Sequence, residues 1–319
     1  MGMTKVYRTA ILLLASLALL MGGCRGRPQG TQPSPEVTKA LGWLRTQQLD
    51  DGSFNAGFGH PAGVTCDAVL AVAATGADPA AWRTAAGKPS IMDYLAAHAV
   101  EYAADAGSTG KLVVTLVAAG LDPKAWAGKD WVAQLRSLQG KPGIFDPSSP
   151  GQAWAILALA AAGENIPAEA VAALKALQLE TGAWPSAFGP DTDTVGYALQ
   201  ALAAGGEPKD SSSIARALEF LQSQQNDDGG FPAIKPSDWG TDTNANSTAS
   251  VIMGLVAVGA DPQGKHWTRS GGNPLTAMLH LQASDGRIEF QPGTGSPLMA
   301  TVQAIPALMR KNLPFHVAR

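Results

Sequence analysis

Cysteine is almost missing from this chain: only Cys24 and Cys66 occur in 319 residues. Cys24 lies in what reads as a targeting segment, which leaves one thiol in the body of the chain. A single thiol forms no intramolecular disulfide. Nor can it build a structural zinc site of four cysteines, or of two cysteines and two histidines. Charge is scarce as well, at 15% of residues with a net of −3, and lysine and arginine are scattered without a basic stripe. That excludes the electrostatic footprint of a nucleic-acid-binding protein and leaves no cationic cluster to grip a diphosphate. Long apolar runs are lacking too: Ala10–Met21 spans 12 residues, short of the ~20 that cross a bilayer. Low hydrophobicity combined with high charge, the signature of disorder, is absent at 45% hydrophobic residues.

What the chain does have is a phrase that returns. Trp43-Leu44, Gln48 and Gly52-Ser53-Phe54 recur as Phe220-Leu221, Gln225 and Gly229-Gly230-Phe231. Weaker copies are Leu135, Gln139, Gly143-Ile144-Phe145; then Leu174, Gln178, Gly182-Ala183-Trp184; then Met278, Gln282, Gly286. An Ala/Leu/Val-rich stretch follows each copy and ends in a turn such as Gly76-Ala77-Asp78-Pro79 or Gly259-Ala260-Asp261-Pro262. Pro79, Pro123 and Pro167 stand 44 residues apart, a period that marks stacked supersecondary units.

Each unit predicts a helix pair. Its two apolar segments are too long for ordinary strands and are filled with Ala, Leu, Gln and Met. Ala153–Ala162 is apolar all round and is expected to be buried. Ser213–Gln225 is charged on one face, with Leu218 and Leu221 on the other. One amphipathic and one buried helix per unit predict two concentric layers.

Lys5 and Arg8 before the Ala10–Met21 run read as a signal peptide. Leu20-Met21-Gly22-Gly23-Cys24 resembles the lipobox of bacterial lipoproteins, which implies cleavage and acylation at Cys24. The expected organisation is a signal peptide over 1–23, a Pro/Gly/Gln-rich tether over 24–36 and a folded body over 37–319. The implied location is extracytoplasmic, anchored to the cell membrane by lipid.

Aromatic-Leu-x3-Gln followed by Gly-x-aromatic resembles the QW motif of squalene–hopene and oxidosqualene cyclases. More broadly, residues 38–310 are similar to the terpenoid cyclase/protein prenyltransferase superfamily. The second unit, Asp93–Pro123, keeps Tyr94-Leu95 but lacks the glutamine and the Gly-x-aromatic. The resemblance implies an all-α fold, an (α/α)6 toroid of about six helix hairpins. The motif glutamine is expected to bond free backbone groups at a helix end.

In such toroids the inner helices begin at the mouth of a central cavity. The starts align as Thr65-Cys66-Asp67, Ser108-Thr109-Gly110, Gly151-Gln152-Ala153, Asp193-Thr194-Val195 and Ser247-Thr248-Ala249, read as N-caps. Class II triterpene cyclases carry Asp-x-Asp-Asp-Thr-Ala, whose middle acid protonates an alkene. Here the matching string is Asn244-Ala245-Asn246-Ser247-Thr248-Ala249, with no carboxyl, and Pro190–Val195 puts Thr192 at the donor position. An amide cannot donate that proton. Asp191 and Asp193, shifted by one residue, are the acids left if the chain is an enzyme. The zinc set of prenyltransferases is not matched either: Cys66-Asp67 with a histidine such as His60 is a weak metal candidate.

The cobalamin carriers share the toroid, and secreted bacterial relatives of them have strings like that of unit five. The leading expectation is therefore a lipid-anchored module that binds a small or hydrophobic ligand without catalysis. Its expected contacts are Asp67, Gln152, Trp154, Asp191, Asp193, Tyr197, Trp239, Asn244 and Asn246, with the loop Ala233–Thr243 rimming the mouth. No cofactor is expected, with a cobalamin-like ligand the weaker alternative, and a partner protein could complete the site. The competing readings are a divergent cyclase or prenyltransferase acting on an isoprenoid, and a protein-interaction scaffold. The binding reading requires a pit from which the active acid has been lost.

Overall fold

The computed structural model describes residues 32–315. Cys24, the signal peptide and most of the tether lie outside the described residues, as does His316. Among the described residues, twelve α-helices alternate between two layers. The outer layer is α1 (Pro35–Thr46), α3 (Ile91–Tyr102), α5 (Trp131–Ser137), α7 (Ala168–Ala176), α9 (Ser212–Gln224) and α11 (Pro274–His280). The inner layer is α2 (Pro61–Ala74), α4 (Ala106–Ala118), α6 (Ser149–Ala161), α8 (Thr192–Ala204), α10 (Ala245–Val258) and α12 (Pro297–Leu308). Each inner helix packs on the next and α12 packs back on α2, so the ring closes. A two-stranded hairpin, β1 (Pro185–Ser186) and β2 (Gly189–Pro190), interrupts the loop before α8.

The repeated glutamine builds the joints of this ring. In unit five Gln225 Nε2 donates to Gly229 O at 2.9 Å, in its own loop, and to Trp267 O at 2.8 Å, just before the next outer helix. Gln48 and Gln178 make the same pair of bonds. Gln282 does so across the seam, reaching Glu36 O at 2.9 Å and tying the last unit to the first. Each bond satisfies a carbonyl that packing has removed from water.

The motif glycine is fixed by two demands at once. Gly182 has φ +90°, and a Cβ there would lie 2.2 Å from Arg216 O on α9. Any larger residue is therefore excluded both by backbone conformation and by the close approach of the neighbouring helix. The motif aromatics Phe54, Trp184 and Phe231 are fully buried beneath these joints.

Unit three departs from the pattern. Gln139 makes only a 3.4 Å bond to Lys141 O and is half-buried. Gln152, on α6, takes over the joint: Nε2 donates to Gly143 O (2.7 Å) and Ala170 O (3.0 Å), and Oε1 accepts from Phe145 N (3.0 Å) and Asp146 N (3.3 Å). In unit two, Gln134 of α5 donates to Ala103 O in place of the missing glutamine.

The aligned inner-helix residues are not the N-caps that the sequence reading made them, although Ser108 completes a capping box on α4 by accepting from Asp105 N. The caps are His60, Asp105, Ser148, Asp191, Asn244 and Ser296, each accepting from a first-turn N–H. Thr65, Thr248 and Thr301 lie a turn or so inside. Their hydroxyls accept the backbone N–H of Phe54, Phe231 and Ile288 at 2.9–3.0 Å. They pin the motif residue of the preceding loop, and Gln152 does the same for Phe145.

Candidate functional site

The N-terminal ends of the inner helices and the C-terminal ends of the outer ones share one face, the mouth. Among the described residues the exposed large apolar side chains are Leu49, Phe58, Val100, Ile144, Leu179, Phe188 and Trp239. All belong to this face, at outer-helix C-termini or in the loops that lead inward. The opposite face, with its Gly-x-Asp-Pro turns, carries ion pairs such as Lys124–Glu164 (2.6 Å) and Arg310–Asp261 (2.8 Å).

Among the described residues, two cavities follow one another along the ring's interior. The upper one, of about 340 Å³, is lined by Phe58, Asp193, Asn246, Phe290, Gly295, Ser296 and Met299. One helical turn deeper, Asp67, Trp154, Tyr197, Ser250 and Gln303 face a space of about 30 Å³, room on the scale of a single water. The helical register relates the two: Asp193 and Tyr197 are one turn apart on α8, as are Asn246 and Ser250 on α10 and Met299 and Gln303 on α12. Asn246 Nδ2 donates to Gln303 Oε1 at 2.6 Å, joining α10 to α12 between the two levels. Trp154 and Tyr197 pack ring to ring at 5.3 Å. Leu313, held by its N–H on Gln200 Oε1 at 2.8 Å, reaches the deep space from below. Close approach of the inner helices narrows it further: a Cβ on Gly196 would meet Ser250 O at 2.4 Å.

The deep level contains a buried ion pair. Lys111 Nζ lies 2.7 Å from Asp67 Oδ2 and 5.8 Å from the centre of the Trp154 ring. Burial pushes the Asp67 carboxyl up and the Lys111 ammonium pulls it back. Asp67 is thus occupied by a cation already in the chain. Its neighbour Cys66 is fully buried, and burial pushes its thiol up to about 12. His60 accepts from Ala62 N as the cap of α2. The weak metal candidate therefore has its members committed elsewhere.

The mouth level contains Asp193, named from the sequence as a ligand contact and as one of the two acids left to an enzyme. Asp193 lines the upper cavity, and its Oδ1 is buried with no hydrogen-bond partner. Burial, then the nearby Asp191 carboxylate, push its pKa up to about 7, against a Ser247 hydrogen bond that lowers it. Asp191 itself caps α8, accepting from Thr194 N at 2.6 Å. Thr192, at the proton-donor position of the cyclase alignment, is buried and donates to Pro232 O at 2.7 Å. Burial also raises the Tyr197 phenol, with Asp67 and Asp193 adding to it.

The expected contact residues thus separate. Asp193 and Asn246 meet in the upper cavity, and Asp67, Trp154 and Tyr197 around the deep one. Gln152 and Asn244 are structural: Asn244 is buried and caps α10 through Ser247 N at 2.9 Å. Trp239 is 99% exposed on its rim loop and lines neither cavity. Lys111, Gln303, Phe58, Phe290 and Met299 were missed. A signal existed for the first two: Lys111 is the one charged residue of α4, and Gln303 stands with Thr301 as the polar side chains of an otherwise apolar α12.

No protein-family model matches the chain, and no curated protein matches it. Solved structures do. The type II terpene cyclase MstE from Scytonema superposes with a TM-score of 0.60 at 14% identity, covering 86% of this chain and 96% of that one. A protein from Actinoplanes gives 0.61 at 16% identity, covering 86% and 98%. The ent-copalyl diphosphate synthase from Streptomyces platensis gives 0.54 at 17%, covering 78% of this chain and 50% of that one. The fold is the α/α toroid of terpene cyclases. At these identities the likeness is one of architecture, and the side chains of the mouth are this chain's own.

Proposed function

We propose that the chain is a membrane-tethered binding protein whose toroid takes a small amphiphilic ligand in the mouth cavity and does not transform it. The observation that carries this reading is the blocked pit. A cyclase must envelop a long isoprenoid, whereas the space below the mouth measures about 30 Å³ and is plugged by Trp154, Tyr197, Met253 and Leu313. The mouth cavity, at about 340 Å³, has the size of a small-molecule site, typically ~300–1,000 Å³. The chemistry points the same way. Protonating an unactivated alkene demands a strong acid, and a carboxyl held near 7 is a weak one.

The ring of exposed apolar groups on the mouth face supports an amphiphilic ligand, and acylation at Cys24 would hold the protein at the outer surface of a membrane. A Cys24→Ala chain is then expected to leave the membrane fraction. The second reading, a divergent terpene cyclase or prenyltransferase, is favoured by the fold alone.

The two readings separate experimentally. Nile red fluorescence should rise on binding to the wild-type chain and not to a Met299→Trp variant, which fills the cavity. Incubation with geranylgeranyl and squalene-type isoprenoids should return them unchanged by mass spectrometry. A cyclised or transferred product would sink the binding reading.

A further inference from the structure

We propose that the ligand of the mouth cavity is an organic cation, an ammonium group on a short apolar or aromatic body, with Asp193 as its counter-ion. This rests on the binding reading above and narrows it. The argument begins with how this chain treats its other screened carboxylates. Asp67 has Lys111 at 2.7 Å, Glu207 has Lys175 at 2.7 Å, and Glu164 has both Lys124 at 2.6 Å and Arg136 at 2.7 Å. Among the described residues, no cation pairs with Asp193. Its nearest charged neighbour is another carboxylate, Asp191, and its Oδ1 is sealed from water without a partner.

No group of the remaining wall bonds to that oxygen. Phe58, Phe290, Gly295 and Met299 offer no donor side chain, and the Asn246 amide directs one of its two N–H groups to Gln303 Oε1. Ser296 is engaged as the α12 cap, accepting from Met299 N at 3.4 Å. A buried acceptor left unpaired is destabilising, the more so when ionised. A ligand that brings a cationic donor to Asp193 removes that penalty, whereas a neutral one removes part and an anion adds to it. The two-fold χ2 of a carboxyl lets either oxygen turn to the ligand at small cost.

The apolar walls suit the rest of such a molecule, and an ammonium beside the faces of Phe58 or Phe290 gains from the ring quadrupole. The rim agrees in sign: the loop over the mouth before α10 carries Asp227, Asp228, Asp238 and Asp242 against Lys235. Lys235 is itself held by Gln225 O and Asn226 Oδ1. The field at the entrance therefore favours cations.

The charged and titratable groups around Asp193 are few. Asp191 and Tyr197 are on its own helix, and the Asp67–Lys111 pair of α2 and α4 lies a level deeper, at the cavity that Tyr197 lines. α10 presents the uncharged Asn246, Ser247 and Ser250. Because its carboxylate becomes the main form as pH passes about 7, cation binding should strengthen as pH rises through that value.

Three probes of one shape test the inference: benzylammonium, benzyl alcohol and benzoate, titrated calorimetrically into the full chain in nonionic detergent. At pH about 8, benzylammonium should bind ~10-fold or more tighter than benzyl alcohol, the ratio of one charge-assisted hydrogen bond. Asp193→Asn should erase that ratio by bringing benzylammonium down to the affinity of benzyl alcohol, while a cooperative unfolding transition by far-UV circular dichroism shows that the variant is folded. Lowering the pH to about 5.5 should weaken benzylammonium alone, since its own charge is unchanged there. Benzyl alcohol or benzoate binding as tightly as benzylammonium, or a ratio retained in Asp193→Asn, overturns the cation inference and leaves the binding reading standing. If no probe binds and Met299→Trp behaves as wild type, both fall.

Discussion

Replacing Gln152 and Gln139 separately by alanine sets the structure against the sequence motif. The motif assigns the joint of unit three to Gln139; the structure assigns it to Gln152. Gln152 is fully buried and makes four bonds to backbone groups, at 2.7, 3.0, 3.0 and 3.3 Å. Gln152→Ala leaves the Gly143 carbonyl and two N–H groups without partners in a region closed to solvent, and takes a second bond from Ala170 O inside α7. At ~1 kcal/mol net per neutral bond, and more where a group stays unsatisfied, the loss should be about 3–5 kcal/mol. With unfolding entropy near 2.1 cal/mol/K per residue, that corresponds to a fall in Tm of about 5–9 °C for a body of this size.

Gln139→Ala removes one 3.4 Å bond on a half-buried side chain, and should stay within about 0.5 kcal/mol. Urea unfolding followed by far-UV circular dichroism reads both variants, with an unchanged m-value confirming that stability alone has moved. If Gln139→Ala proves as damaging as Gln152→Ala, the replacement of one glutamine by the other is wrong.

Asp193→Asn should stabilise the fold above pH about 4. The unfolded carboxyl ionises near 3.9 whereas the folded one holds its proton to about 7, so native stability falls across that window and levels off above it. The distance between those two values sets an upper bound of ~4 kcal/mol, so a gain of about 2–4 kcal/mol at pH 8 that vanishes near pH 4 is expected. The difference between the two chains is the proper readout, because Asp93, held low by Ser90 backbone and hydroxyl bonds, contributes a slope of the opposite sign. Asp67→Asn strands the Lys111 ammonium inside the ring and should cost about 3–5 kcal/mol, whereas Asp67→Leu with Lys111→Met should recover most of it. Cys66, buried with its thiol pushed up to about 12, should resist maleimide in a Cys24→Ala chain until the protein unfolds; rapid native labelling would contradict the packing of α2.

Local chemistry and period were enough to dictate the frame. The 44-residue spacing of prolines, the all-apolar stretch at Ala153–Ala162 and the Gln–Gly–aromatic phrase carry the alternation of outer and inner helices. They do so because amphipathicity and turn geometry are properties of neighbouring residues. Asp193 and Asn246 were legible as cavity residues for the same reason, being first-turn positions of inner helices.

What no period encodes is which group a side chain meets across the ring. Thr65 and Thr248 read as caps, but they receive N–H groups from residues 11 and 17 positions earlier. Gln152 read as a ligand contact, although packing hands it the joint that Gln139 abandons. Trp239 read as a wall, but its loop turns it outward. The size of the pit belongs to the same class: it depends on how closely α8 and α10 approach at Gly196, on Trp154 meeting Tyr197, and on Leu313 arriving from the far end of the chain. Such contacts join residues tens to hundreds of positions apart, so only the closed ring decides that Lys111 neutralises one buried acid and leaves Asp193 without a counter-ion.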